Sequence, residues 1–162
     1  MIRLAVLSIA MLLPSPSVTL AQDTERHGTW AYGYGYVGLG AAIGDELLDP
    51  FFELGPGADV MFGRFGVTGE LGYGSLAKHP TSGFGTFSPG VLYAFSKSGV
   101  VPFVKGGFTL FFGSRSGTEP GWFVGAGVNL WKSDRFGFRA EVNDQVLETS
   151  HLLTGRFAVL FR

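Results

Sequence analysis

Trp122-Phe123-Val124-Gly125-Ala126-Gly127-Val128-Asn129-Leu130 alternates two residue classes at a period of two. Trp122, Val124, Ala126, Val128 and Leu130 fall on one face, and Gly125, Gly127 and Asn129 on the other. A period of two is the signature of a β-strand with unlike faces, because successive Cβ atoms point to opposite sides. The face opposite the apolar one carries glycine and asparagine where a water-exposed strand would carry Lys and Glu. That inversion is the first sign that the apolar face is the outer one.

Seven further segments repeat the pattern. Trp30, Tyr32, Tyr34 and Tyr36 alternate with Ala31, Gly33, Gly35 and Val37. Ala58, Val60 and Phe62 oppose Asp59 and Met61 within 54–62. Val67, Leu71 and Tyr73 oppose Thr68 and Glu70 within 65–73. Phe87, Val91, Tyr93 and Phe95 oppose Thr86, Ser88 and Gly90 within 84–95. Val104, Phe108, Leu110 and Phe112 oppose Lys105, Gly107 and Thr109 within 100–112. Phe136, Phe138, Ala140 and Val142 oppose Arg139, Glu141, Asn143 and Gln145 within 136–146. Phe157, Val159 and Phe161 oppose Thr154, Arg156 and Ala158 within 153–161. Each segment runs roughly 9–13 residues, long enough to cross a bilayer as a tilted strand.

Composition agrees. The 162 residues include 26 glycines, roughly 16% against a typical ~7%. Glycine is costly in helices, and 46% hydrophobic residues argue against disorder. Twelve basic against 13 acidic residues leave no cationic surplus for nucleic acid. The absence of cysteine excludes disulfides, thiolate metal sites and a Cys nucleophile.

The N-terminus reads as an address. Arg3 precedes the apolar run Leu4–Leu13, prolines break it, and Thr19-Leu20-Ala21 offers a small-residue cleavage site. Residues 1–21 are expected to be a signal peptide, 22–28 a short periplasmic segment, and 29–162 one β-barrel domain. The expected fold is all-β: an eight-stranded antiparallel up-and-down transmembrane β-barrel. Short turns at Gly63-Arg64, 96–99 and 132–135 are expected on the periplasmic side, with longer outer loops at 43–53, 75–83, 113–120 and 147–151. Aromatic girdles are expected at both interfaces. Trp30, Tyr32, Tyr93, Phe95, Trp131, Phe136 and Phe161 would form the periplasmic one. Phe51, Phe52, Tyr73, Phe84, Phe111 and Trp122 would form the outer one.

The stretch Phe123–Trp131, then Arg135-Phe136-Gly137-Phe138-Arg139-Ala140-Glu141-Val142, resembles the last hairpin of the outer-membrane β-barrel domain family, the small OmpA/OmpX-like barrels. The closing Gly155–Arg162 is similar to that family's C-terminal insertion signal, here Phe157, Val159 and Phe161. The resemblance implies residence in the cell outer membrane, insertion by the outer-membrane assembly machinery, and contact with outer-membrane lipid and lipopolysaccharide. It implies no reaction.

Site chemistry is sparse. Gly33–Gly38 matches G-x-G-x-x-G, but an aromatic alternation contains it, and a dinucleotide site needs a strand-to-helix turn there. Ser150 and His151 with Glu148 and Asp144, and His79 with Ser82, are the best hydrolase candidates, for a lipid A-acting enzyme. Neighbours on a strand point apart, so Ser150 and His151 pair poorly, and solvated loop residues are the plainer reading. No catalytic, cofactor or metal set is assigned. Asp45, Glu46 and Asp49 make the first outer loop acidic, beside Leu47, Leu48, Phe51 and Phe52. Asp59, Glu70, Lys105, Arg139, Glu141 and Arg156 all take the inward parity, three acids with three bases. They are expected to pair as an interior charge network. The expected function is that of a small, monomeric, non-enzymatic outer-membrane barrel with a structural or surface-interaction role. The alternatives are a narrow channel or hydrophobic-ligand conduit, for which Pro56 or Pro89 would mark an opening, and the hydrolase.

Overall fold

The computed structural model describes residues 28–44, 48–77, 79–97, 99–113, 117–148 and 150–162; the side chains of Leu48 and residues 79–82 are not included. The expected signal peptide, and all but Gly28 of the expected 22–28 segment, lie outside the described residues.

The eight alternating segments form eight antiparallel strands: β1 (Thr29–Ile43), β2 (Leu48–Phe62), β3 (Phe65–Leu76), β4 (His79–Ala94), β5 (Val100–Gly113), β6 (Gly117–Trp131), β7 (Phe136–Val146) and β8 (His151–Phe161). Each pairs with its sequence neighbour, and β1 pairs with β8, closing the barrel. Closure leaves no strand edge with unpaired backbone groups. The Gly33–Gly38 motif lies wholly within β1.

β1 begins and β8 ends at one rim, the terminal end, which also carries the connections 63–64, 95–99 and 132–135. The first is a two-residue hairpin with Gly63 at φ 70° and Phe62 opposite Phe65. Glycine takes that positive φ without the clash a Cβ would bring. The opposite, distal end differs from expectation. The connections there are only 44–47, 77–78, 114–116 and 147–150, no longer as a group than those at the terminal end. Strand pairing continues through most of the expected loop residues; Asp49, Phe51, Phe52 and Glu53, for example, belong to β2. Backbone hydrogen bonding extends past the point where side-chain alternation fades.

The outer wall is apolar. Leu39 is 75% exposed, and Val37, Val67, Val91, Phe108, Trp122 and Phe157 each at least half. A soluble monomer rarely exposes a continuous apolar surface beyond a few hundred Å².

The inner face departs from the expected division at β1. Tyr32, Tyr34 and Tyr36 point inward and are 1–5% exposed, while Gly33, Gly35 and Val37 take the outward parity. Tyr32 therefore does not belong to a girdle: its hydroxyl oxygen accepts from Asn129 and Arg139 inside the barrel. Trp30 and Trp131 are half-buried against the same interior cluster. Tyr93, Phe95, Phe136 and Phe161 do stand on the outside at the terminal end, together with Phe62 and Phe65. At the distal end Tyr73 and Trp122 are exposed and Phe52 is half-buried. Phe51 and Phe111 are buried inside, with Phe84 packed on them. The interior thus has an apolar cluster at each end. One is built on the three tyrosines with Met61, Leu92, Val101, Phe103 and Leu160, the other on Phe51, Phe111 and Leu152.

Candidate functional site

Between the two apolar clusters lies a charged layer. Asp59, Glu70, Lys105, Arg139, Glu141 and Arg156 are each 0–6% exposed. Their strands deliver them inward because each sits on the parity opposite the lipophilic residues beside it.

Arg139 on β7 forms one centre. Its Nη2 donates to Asp59 Oδ2 at 2.6 Å and to the Tyr32 hydroxyl at 2.9 Å, and its Nε donates to Asn129 Oδ1 at 2.8 Å. The guanidinium lies 4.3 Å from the Tyr34 ring centroid and 4.5 Å from that of Phe103. Ring faces carry negative quadrupole density, so this aromatic slot is a favourable place for a buried cation.

Arg156 on β8 forms the second. Its Nε and Nη2 donate to the two oxygens of Glu53 at 2.5 and 2.8 Å, a bidentate fork. Its Nη1 donates to Glu70 at 2.9 Å and to Glu141 at 3.3 Å. Lys105 joins Glu70 and also Glu141, the latter at 2.8 Å. The Tyr34 hydroxyl donates to Glu70 at 2.7 Å, and Arg139 Nη1 lies 4.0 Å from Glu141, so the two centres touch.

Glu53 is the member that sequence reasoning missed. It is 3% exposed and also receives Thr154 Oγ1 at 2.6 Å and Gln145 Nε2 at 3.1 Å. Its position reads as loop in the sequence because Gly55-Pro56-Gly57 interrupts the alternation between it and Asp59. The signal that was available is parity: Glu53 and Asp59 are six residues apart and share a face. With Glu53 the network has four carboxylates and three cations.

Gly38 makes the Glu53–Arg156 contact possible. It pairs with Glu53 on one side and Arg156 on the other, in the strand between them. A Cβ on Gly38 would come within 2.9 Å of Glu53 Cγ and 3.1 Å of Arg156 Cγ. Without one, the two side chains meet across β1.

The hydrolase candidates assemble differently. His151 Nδ1 lies 3.1 Å from Asp144 Oδ2 across the ends of β7 and β8, and the histidine is about half exposed. Ser150 precedes β8, and its carbonyl accepts the Leu147 N–H at 2.8 Å. Glu148 is exposed. The side chains of His79 and Ser82, and residues Asp45, Glu46 and Leu47, lie outside the described residues. Among the described residues no group of His, Asp and Glu is arranged to hold a metal ion.

The strand ladders are interrupted at both prolines. β2–β3 pairing passes from Leu54↔Tyr73 to Gly57↔Glu70, skipping Pro56. β4–β5 pairing passes from Phe87↔Leu110 to Gly90↔Gly107, skipping Pro89. Proline has no N–H to give to a neighbouring strand.

No protein-family model matches the chain, and no curated protein matches it by sequence. Solved structures do match by shape. Neisserial surface protein A superposes with a TM-score of 0.69 at 16% identity, over 83% of this chain and 99% of that one. Ail, the attachment invasion locus protein of Yersinia pestis, gives 0.56 at 15% identity, over 84% and 99%. The N-terminal barrel domain of Pseudomonas aeruginosa OprF gives 0.55 at 16% identity, over 81% and 97%. Closed eight-strand pairing, the apolar wall and these superpositions agree: the chain has the fold of the small eight-stranded outer-membrane β-barrels.

Proposed function

We propose that this chain is an integral protein of the cell outer membrane, non-enzymatic, with a structural or surface-interaction role and a plugged polar interior. The observation that carries the proposal is the buried charge network, enclosed by an apolar wall and flanked by apolar clusters. Side chains reaching from β2, β3, β5, β7 and β8 meet near the barrel axis, where a pore would have to run. An eight-stranded barrel has an interior just wide enough for side chains to fill. Breaking such a network to admit ions strands buried charges. The barrel is inserted by the outer-membrane assembly machinery, with Phe157, Val159 and Phe161 as its insertion signal, and works as a monomer in contact with outer-membrane lipid and lipopolysaccharide. Similar folds in surface proteins such as Neisserial surface protein A and the Yersinia attachment protein support a surface role.

Two measurements test this. Cell fractionation should recover the mature chain in the outer-membrane pellet, with a gel mobility that shifts on boiling. Planar-bilayer recordings of the refolded chain should show no steady conductance. A soluble periplasmic chain would overturn the location, and a steady, large open pore would overturn the plug.

A second reading, a lateral conduit for a hydrophobic ligand, draws on the ladder interruptions at Pro56 and Pro89. It requires bilayer lipid analogues to reach the interior. Quenching of the interior Tyr32, Tyr34 and Tyr36 by such analogues, in a Trp-free variant that also carries Tyr73→Phe and Tyr93→Phe, would favour it over the plug.

A further inference from the structure

We propose that the terminal end carries a cationic collar that selects anionic phospholipid headgroups from a mixed bilayer. This rests on the membrane reading above. Arg64 sits in the β2–β3 turn, Lys97 in the β4–β5 connection, Lys132 and Arg135 in the β6–β7 connection, and Arg162 follows β8. Among the described residues of these connections, Asp134 is the single acid. Among the described residues the distal end is charged in the opposite sense, with Asp49, Glu119, Asp144 and Glu148.

Three features make the collar more than a count of charges. First, it is distributed: all three connections and the chain end contribute, so cations surround the rim. Second, it is held by the backbone. The Arg64 carbonyl accepts the Ala94 N–H at 2.8 Å, and the Arg135 carbonyl accepts the Arg162 N–H at 3.1 Å, bringing two collar residues side by side. Third, its height in the bilayer is defined. Phe62, Phe65, Phe95, Phe136 and Phe161 are 40–68% exposed immediately inside the collar. Transmembrane barrels carry girdles of aromatic residues at the membrane–water interfaces. The cations just beyond them therefore lie among the phosphates. Lipids with net negative charge gain there over zwitterionic ones, whose phosphate is neutralised by their own ammonium.

The barrel contains its own reporters. Trp30 and Trp131 are at the collar end, with ring centroids 6.1 Å apart, and Trp122 is at the other. With Trp122→Phe in every chain, fluorescence reports the collar end alone. The chain is refolded into phosphatidylcholine vesicles containing a minor fraction of brominated phosphatidylglycerol or, in parallel, brominated phosphatidylcholine. Quenching by both lipids is expected, with a relative association constant on the order of fivefold in favour of phosphatidylglycerol, the value for about one cation–phosphate contact. The preference should vanish in the combined Arg64→Gln, Lys97→Gln, Lys132→Gln, Arg135→Gln, Arg162→Gln variant. It should vanish equally in the unsubstituted collar at ~1 M salt, where the screening length is ~3 Å, an arm that needs no variant to fold. Equal quenching by the two lipids at low salt would overturn the collar while leaving the membrane reading intact. So would a preference that survives both the substitutions and the salt. A chain that fails to float with the vesicles would overturn the membrane reading and the collar with it.

Discussion

Arg156 and Phe157 are joined by one peptide bond and occupy two different solvents. Arg156 is 6% exposed and holds Glu53, Glu70 and Glu141; Phe157 is 50% exposed on the outer wall. The same contrast separates Glu141 from Val142. The inner wall is specified by directional partners and tolerates little change in any one member. The outer wall is specified only by being apolar. Substitutions on the two faces should therefore fail for opposite reasons.

The largest effect is expected inside. Arg156→Leu removes the counter-charge shared by three carboxylates, and breaking a buried pair in this way costs about 3–5 kcal/mol. Equilibrium urea unfolding in vesicles should show that loss, and the double variant Arg156→Leu, Glu53→Gln should recover part of it. On the outer face, Val142→Arg puts a charge into lipid beside the same layer, at about 2–4 kcal/mol. The same unfolding measurement should show it, while Val142→Leu stays close to the parent. Gly38→Ala should cost about 1–3 kcal/mol by overpacking the gap between Glu53 and Arg156. Heat-modified gel mobility should show its shift at a lower temperature than in the parent. At the exposed rim, His151→Ala should change stability by less than about 1 kcal/mol, since exposed pairs contribute little. Lipid A profiles by mass spectrometry should be unchanged in cells carrying it.

The same contrast explains what could be read from the sequence. Strand number, order and the inward parity of the six charged residues follow from period-two alternation, which needs no knowledge of partners. β1 departs from expectation because tyrosine belongs to both classes: its ring reads as apolar and its hydroxyl as polar. Inside this barrel the hydroxyls of Tyr32 and Tyr34 have donors and acceptors waiting for them. Phe51 and Phe111 read as outer-girdle residues because their rings are apolar. Yet a closed barrel has interior ends beyond its polar layer, and these are filled with apolar side chains. Glu53 and the distal strand extensions were hidden by Gly, Pro and Ser, residues that mimic loop composition while the backbone goes on pairing. The partners of Arg139 and Arg156 come from strands up to 103 residues away in the chain, and no local pattern encodes such a separation.

The row Glu53, Gly38, Arg156, Glu141 runs across four consecutive strands, including the seam where β1 meets β8. A one-residue slip at that seam would turn every side chain to the wrong face, so the apolar wall alone forbids it. A two-residue slip keeps every side chain on its proper face, and the apolar wall resists it only through local shape, as where the Phe161 ring lies over Gly33 across the seam. Such a slip would carry Arg156 about 7 Å along the strand, out of reach of the Glu53 fork. The interior charges thus act as a vernier for closure, separating the correct seam from its nearest plausible error.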